Sequence, residues 1–212
     1  MSRWMKAGRR FLLAPLLMAV AALSANAVQA ATILIFGDSI SAAYGIQREQ
    51  GWVALLERRL ANQGPQFRVV NASMSGETTG GGLARLPKAL EEHDPDLLII
   101  ELGGNDGLRG YPVANIRRNL AQMIEAADPL RRDVLLVAMQ IPPNYGHRYT
   151  QAFRDLFTDL SESYDVPLAN DFIEAVVLQP ELMQDDGIHP TAAGQPLLLD
   201  ALWPAIRRLL AD

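Results

Sequence analysis

The chain has 212 residues, of which 19 are Lys or Arg and 24 are Asp or Glu, for a net charge of −5, and it contains no cysteine. The acidic balance argues against nonspecific binding of nucleic acid or of anionic lipid head groups. The missing cysteine excludes thiol nucleophiles, disulfides and cysteine-ligated metals, so stability must come from burial.

Met1 to Arg10 carries Arg3, Lys6, Arg9 and Arg10 with no acid, Phe11 to Leu23 is almost wholly apolar, and Ala25-Asn26-Ala27 and Val28-Gln29-Ala30 supply small residues. This is the pattern of a secretory signal peptide over residues 1–30, cut after Ala30 or alternatively after Ala27. Its apolar core of 13 residues is short for a membrane span, so no stable membrane anchoring is expected. Removing the leader leaves residues 31–212, with 15 basic against 24 acidic residues and a net charge of −9. That length suits one domain. A cysteine-free exported domain is expected in a bacterial periplasm or secreted beyond it.

Thr32 to Phe36 is an apolar, β-branched run ended abruptly by Gly37-Asp38-Ser39, as in a buried parallel strand that stops at a sharp turn. Trp52, Val53, Leu55, Leu56 and Leu60 then recur at helical spacing up to Asn62-Gln63-Gly64-Pro65. Phe67 to Val70 reads as a second strand, Asn71 to Gly82 as a loop rich in small residues, and Leu83 to Glu92 as a helix containing Pro87. Leu97 to Leu102 is continuous enough in apolar character to be a central strand, and it ends in the turn Gly103-Gly104-Asn105-Asp106-Gly107. A helix from about Pro112, with Ile116, Leu120, Met123, Ile124 and Ala127 on one face, leads to a fourth strand at Val134 to Met139. The loop Gln140 to Thr150 precedes an amphipathic helix marked by Phe153, Leu156, Phe157, Leu160 and Tyr164, and Val166 to Ala169 is a short fifth strand. A last helix is expected from Thr191 to Leu209, kinked or divided at Pro204. Such alternation, without a long linker or repeat, predicts an α/β fold with a parallel five-stranded sheet between two helical layers.

In a parallel sheet the turns after successive strands emerge on one edge, which is where ligand chemistry collects. Gly37-Asp38-Ser39, Ser75-Gly76-Glu77 and Gly103-Gly104-Asn105-Asp106 would all lie there, and Asp185-Asp186-Gly187-Ile188-His189-Pro190, before the last helix, adds two carboxylates and an imidazole. Folded to the same edge, Ser39, His189 and an aspartate form a set for acyl transfer. The imidazole takes the serine proton, and the carboxylate fixes the imidazole's tautomer and stabilises its cation. The oxyanion needs donors, for which the Ser39 N–H, the Gly76 N–H and the Asn105 amide are suited. Taken singly, each residue has a structural explanation: Ser39 as a helix cap, Gly76 as a turn residue, Asn105 as a loop anchor, His189 as a surface side chain. Their joint placement at strand ends favours a site. The turn after Ser39 lacks the second glycine of a G-x-S-x-G elbow, which argues against an α/β-hydrolase.

Gly-Asp-Ser near the start, a glycine in the second block, Gly-x-Asn-Asp in the third and Asp-x-x-His-Pro near the end resemble the GDSL or SGNH hydrolase family. Ser39, Gly76, Asn105 and His189 match its four name-giving residues and Asp186 its triad acid. The runs Val70 to Ser73, Glu101 to Gly110, Pro143 to Gly146 and Met183 to Pro190 resemble its periplasmic thioesterase, lysophospholipase and arylesterase branch. The resemblance implies a flavodoxin-like three-layer α/β/α fold and metal-free, cofactor-free hydrolysis of esters or thioesters through an acyl-enzyme.

The expected partner is a small acyl ester or thioester, acted on by a monomer. Leu108, Tyr111, Ile141, Pro142, Pro143 and Tyr145, in loops after the third and fourth strands, are the candidate acyl-binding residues, and they would serve equally as lid packing. Carbohydrate O-deacetylation or acetyl transfer would use the same catalytic residues. A phosphate- or flavin-binding module at Gly76 to Gly82 is the non-enzymatic alternative, but neither G-x-x-x-x-G-K-[ST] nor G-x-G-x-x-G occurs there.

Overall fold

The computed structural model describes residues 30–64, 66–127 and 133–211. All of the expected leader except Ala30 lies outside them. The elements are β1 (Ala31–Gly37), α1 (Trp52–Ala61), β2 (Phe67–Asn71), α2 (Thr79–His93), β3 (Leu97–Glu101), α3 (Gly104–Leu108), α4 (Val113–Ala127), β4 (Asp133–Val137), α5 (His147–Tyr164), β5 (Leu168–Ala169), α6 (Glu174–Val177) and α7 (Gln195–Leu209). The five strands form one sheet in the order β2-β1-β3-β4-β5, and every pairing is parallel.

This is the flavodoxin-like strand order, and its direction reverses between β1 and β3. Side chains on both faces of these two strands are apolar except Thr32 and Glu101, because helices cover both faces. Residues 32–37 and all of β3 are buried accordingly. One layer contains α2, α4 and α5, packed in succession, and the other contains α1 and α7. Trp52 meets Phe172 edge-on at 5.8 Å, and Phe153 meets Phe157 at 5.5 Å. Among the described residues no helix is long and apolar enough to cross a membrane.

Several element boundaries differ from the sequence reading, each for a local reason. Gly80, Gly81 and Gly82 are not loop residues; they form the first turns of α2, where the Thr78 hydroxyl caps by accepting from the Gly81 N–H at 3.2 Å. A Cβ on Gly82 would stand 2.6 Å from Leu102 Cδ1, so this glycine lets α2 press against the sheet. The turn after β3 winds into the short helix α3. α5 begins at His147, inside the stretch expected to be loop; its first turns face solvent and add nothing to the apolar period from which the helix was read.

The last helix starts at Gln195, not Thr191, with Pro196 in its first turn, where a missing N–H costs no hydrogen bond. It continues undivided through Pro204, because Leu198, Leu199, Leu202 and Ile206 are buried on both sides of that residue. The fifth strand is only two residues long, and α6 has no counterpart in the sequence reading because a single turn has no period to detect.

Candidate active site

The turns after β1 and β3 flank the point where strand order reverses. β1 delivers Ser39, which is 7 % exposed, and β3 delivers α3 with Asn105. The segment before α7 reaches the same edge: Gln184 N donates to His189 O at 2.8 Å and Thr191 N to Leu182 O at 2.7 Å, closing a narrow antiparallel turn around Met183 and Pro190. Gln184 Nε2 donates to Tyr44 O at 2.8 Å and to Pro190 O at 3.0 Å, tying this turn to the segment that follows Ser39. The Tyr44 ring lies 4.5 Å from the His189 ring.

The structure brings Ser39, His189 and Asp186 into one line. His189 Nε2 is 2.8 Å from Ser39 Oγ, and Nδ1 is 2.6 Å from Asp186 Oδ2. Gly187, at φ +67°, supplies the left-handed residue that curls Asp186 back under the ring. Asp186 Oδ1 also accepts from the Ile188 N–H at 2.9 Å and the His189 N–H at 3.0 Å. Partial burial alone would raise the Asp186 pKa, but these hydrogen bonds and the charge of His189 outweigh it and hold the carboxyl at about 2. Asp185 is exposed and has no hydrogen bond among the described residues.

Of the expected oxyanion donors, Asn105 shares a cavity with Ser39, and Gly76 stands in a turn tied to the end of β1. Met74 N donates to Gly37 O at 3.0 Å, which sets the turn containing Gly76 (φ +78°) beside the serine turn. Arg109 reaches over this turn and donates to Gly76 O at 3.3 Å. Neither the Ser39 N–H nor the Gly76 N–H has a backbone acceptor among the described residues. The Asn105 amide donates to Asp38 Oδ2 at 3.0 Å, leaving its second N–H free to donate elsewhere. The two loops are locked together by Asp106, whose carboxyl accepts from the Thr79 N–H at 2.8 Å and the Thr79 hydroxyl at 2.7 Å.

A cavity of about 500 Å³ opens from Ser39, Asn105 and His189 between apolar walls. Leu108, Ile141, Pro142 and Pro143 line it as the sequence suggests, joined by Met139, Ile173, Val177, Leu178 and Ile188. Gly76, Tyr111 and Tyr145 do not. Tyr145 faces a separate groove with His147 and Tyr149, and its hydroxyl donates to Leu108 O at 2.7 Å; Tyr111 O accepts from the Tyr149 hydroxyl at 2.7 Å. Tyr145 thus braces the Leu108 wall from outside the cavity.

Residues 35–197 match the family model described as GDSL-like lipase/acylhydrolase. The chain belongs to that family. It is 51 % identical over 181 residues to esterase TesA of Pseudomonas aeruginosa, covering 85 % of this chain and 90 % of that protein. It is 43 % identical over 183 residues to the thioesterase 1/protease 1/lysophospholipase L1 of Escherichia coli K12, covering 86 % of each. The crystal structure of a psychrotrophic esterase, EstA from Pseudoalteromonas sp., inhibited by monoethylphosphonate, superposes with a TM-score of 0.81 at 43 % identity over 85 % of this chain and 99 % of that one.

Two features of this acylhydrolase escaped the sequence reading. The far wall of the cavity comes from α6 and Leu178, a segment without a readable period. Glu101 was absorbed into the apolar run of β3, yet a carboxyl in a strand covered on both faces is itself a signal that something polar is buried beside it.

Proposed function

We propose that this acylhydrolase cleaves carboxylic esters and thioesters of apolar acyl groups through an acyl-enzyme, with Ser39 as nucleophile, His189 as general base and then general acid, and Asp186 as the triad carboxylate. The reading is carried by the unbroken hydrogen-bonded line from Asp186 through His189 to Ser39, opening onto an apolar cavity. The names of its relatives, esterase and thioesterase, agree with it.

His189 Nε2 takes the Ser39 proton as Oγ attacks the acyl carbonyl, and the Asp186 carboxylate stabilises the resulting imidazolium. The Ser39 N–H, the Gly76 N–H and the Asn105 amide take the oxyanion, each such donor being worth about 10²- to 10³-fold in turnover. The imidazolium then gives its proton to the departing alcohol or thiol. Water, activated by the same imidazole, hydrolyses the ester formed on Ser39 and returns the serine. The acyl chain lies along Leu108, Ile173, Val177, Leu178 and Ile188, while the leaving group stays toward solvent. The N-terminal pattern of basic, apolar and small residues supports export to the periplasm as a soluble protein.

A fluorophosphonate should add to a peptide containing Ser39, and Ser39→Ala should fold yet neither label nor hydrolyse aryl esters and acyl thioesters. Labelling at Ser41, Ser73 or Ser75 would remove the assignment.

A further inference from the structure

Two carboxyl groups in the floor of the site take no part in these steps. Gly37 and Glu101 are register partners at the ends of β1 and β3, so Asp38 and Glu101 meet beneath Ser39, only 2 % and 0 % exposed. A Cβ on Gly37 would lie 2.5 Å from Glu101 Oε2 and 2.8 Å from Ser41 Oγ, so the strand carries glycine where the carboxyl needs room.

We propose that Glu101 is a positioning residue: it remains a neutral carboxylic acid that donates its proton to the Asp38 carboxylate, and the charge so retained on Asp38 holds the Asn105 amide with its second N–H toward the reacting carbonyl. The inference rests on the reading of Asn105 as an oxyanion donor.

The hydrogen bonds around Glu101 suit an acid and not its anion. Oε2 accepts from the Ser41 hydroxyl at 2.6 Å and from the Asp38 N–H at 3.2 Å, which fills the two lone pairs of a carbonyl oxygen. Ser41 is free to donate because its oxygen accepts from Trp52 Nε1 at 3.2 Å. Oε1 is buried and receives no hydrogen bond. On a carboxylate that atom would carry charge with no donor facing it, at a large desolvation cost. On an acid it is the hydroxyl, and the acceptor the proposal assigns to it is the carboxyl of Asp38, buried beside Glu101 and already joined to it through the Asp38 N–H.

Burial and the negative charge of Asp38 push Glu101 well above the carboxylate range. Burial also raises Asp38, but hydrogen bonds from Ile40, Glu101 and Asn105 and the charge of His189 limit it to about 6, so above that pH the pair carries one proton and one charge. Asp38 Oδ1 accepts from the Ile40 N–H at 3.0 Å and Oδ2 from Asn105 Nδ2 at 3.0 Å. An anionic acceptor fixes which end of the amide points inward.

The test compares Glu101→Gln, a neutral isostere that can both accept from Ser41 and donate to Asp38, with Glu101→Met, which can do neither. At pH 8 on an aryl ester, Glu101→Gln should keep kcat within about threefold, while Glu101→Met should lose about 10- to 100-fold in kcat, less than outright loss of a donor, with KM within about threefold. In an Asn105→Ala background the Glu101→Met loss should shrink below about threefold, since the group acts through Asn105. A Gln variant as impaired as the Met variant, or a Met loss of equal size in both backgrounds, would overturn the proposal.

Should Glu101→Met not fold, infrared difference spectra at pH 8 decide the protonation state on which the proposal stands. A carboxylic-acid band present in the wild type and missing in Glu101→Gln is expected, and its absence from the wild type overturns the proposal. Fluorophosphonate labelling of wild-type Ser39 is measured first. Failure there removes the acyl-enzyme reading itself, whereas normal labelling with wild-type kcat in Glu101→Met removes only the role of Glu101.

Discussion

Replacing Glu101 by Gln should make the protein more stable at pH 8 relative to pH 5 than the wild type is. The folded wild type keeps a proton on Glu101, because burial and the Asp38 charge raise its pKa well above 4.5. The unfolded chain releases that proton above about pH 4.5. A carboxyl whose pKa is raised on folding contributes stability that is complete below the unfolded pKa and is lost as pH rises toward the folded one. The slope is about 1.4 kcal/mol per pH unit for one proton, so the wild type loses about that much against Glu101→Gln over each pH unit through which the fold retains the proton.

Gln has no proton to release. Asp38, raised to about 6, adds a loss that is largely complete by pH 6 and is common to both proteins while Gln keeps the hydrogen bond to it. Asp186, held at about 2, titrates below this window. Urea unfolding at pH 5, 6, 7 and 8, with equal m-values in the two proteins, measures the difference directly. The gap between the curves should widen with pH and level off at the folded pKa of Glu101. Parallel curves would mean that Glu101 ionises in the fold as it does in the unfolded chain, and the single-proton pair would be wrong.

Asp186→Asn should lower kcat by about 10⁴-fold with the fold intact, as expected for the carboxylate that orients a triad imidazole, while Asp185→Asn stays within about threefold; purified variants showing the reverse order would move the triad acid to Asp185. Leu178, 84 % exposed, and Ile188, 43 % exposed, line the cavity and would be covered by an acyl chain lying in it. Truncating either to Ala should cost a long-chain thioester about 1–2 kcal/mol, or roughly 5- to 30-fold in kcat/KM, and leave acetyl esters unchanged; an equal loss at all chain lengths would show that these side chains only support the fold. Gly37→Ala should lower stability by about 2 kcal/mol or more, because the new methyl overlaps Glu101 Oε2 and Ser41 Oγ, and a thermal midpoint equal to that of the wild type would count against the packed floor described above.

What could be read from the sequence divides along a physical line. The placement of Ser39 and Asn105 at one edge was legible because apolar runs ending in polar turns locate the carboxyl edge of a parallel sheet, and the contact of His189 with Asp186 because a three-residue spacing across a glycine lets a carboxylate fold back on its own neighbour's ring. These are properties of one segment at a time. The cavity wall is not: Tyr111 and Tyr145 sit in loops beside the site-bearing strands, as substrate contacts would, but the Tyr145 hydroxyl turns away to donate to Leu108 O and Tyr111 is tied through its carbonyl to the Tyr149 hydroxyl. The opposite wall is supplied by Ile173, Val177 and Leu178, more than 130 residues along the chain from Ser39. Glu101 shows the same limit. Its strand was identified by the apolar residues around it, and only the register that sets Glu101 opposite Gly37 reveals that the turn after β1 and the acid at the end of β3 are packed together, with the Asp38 N–H donating to the Glu101 carboxyl. A glycine needed to make room and a carboxyl needed to fill it are each ordinary in sequence. Their pairing becomes visible only when β1 and β3 lie side by side and set Gly37 opposite Glu101, so in the proposed role of Glu101 the precision with which Asn105 is held depends on long-range register more than on the motif that contains it.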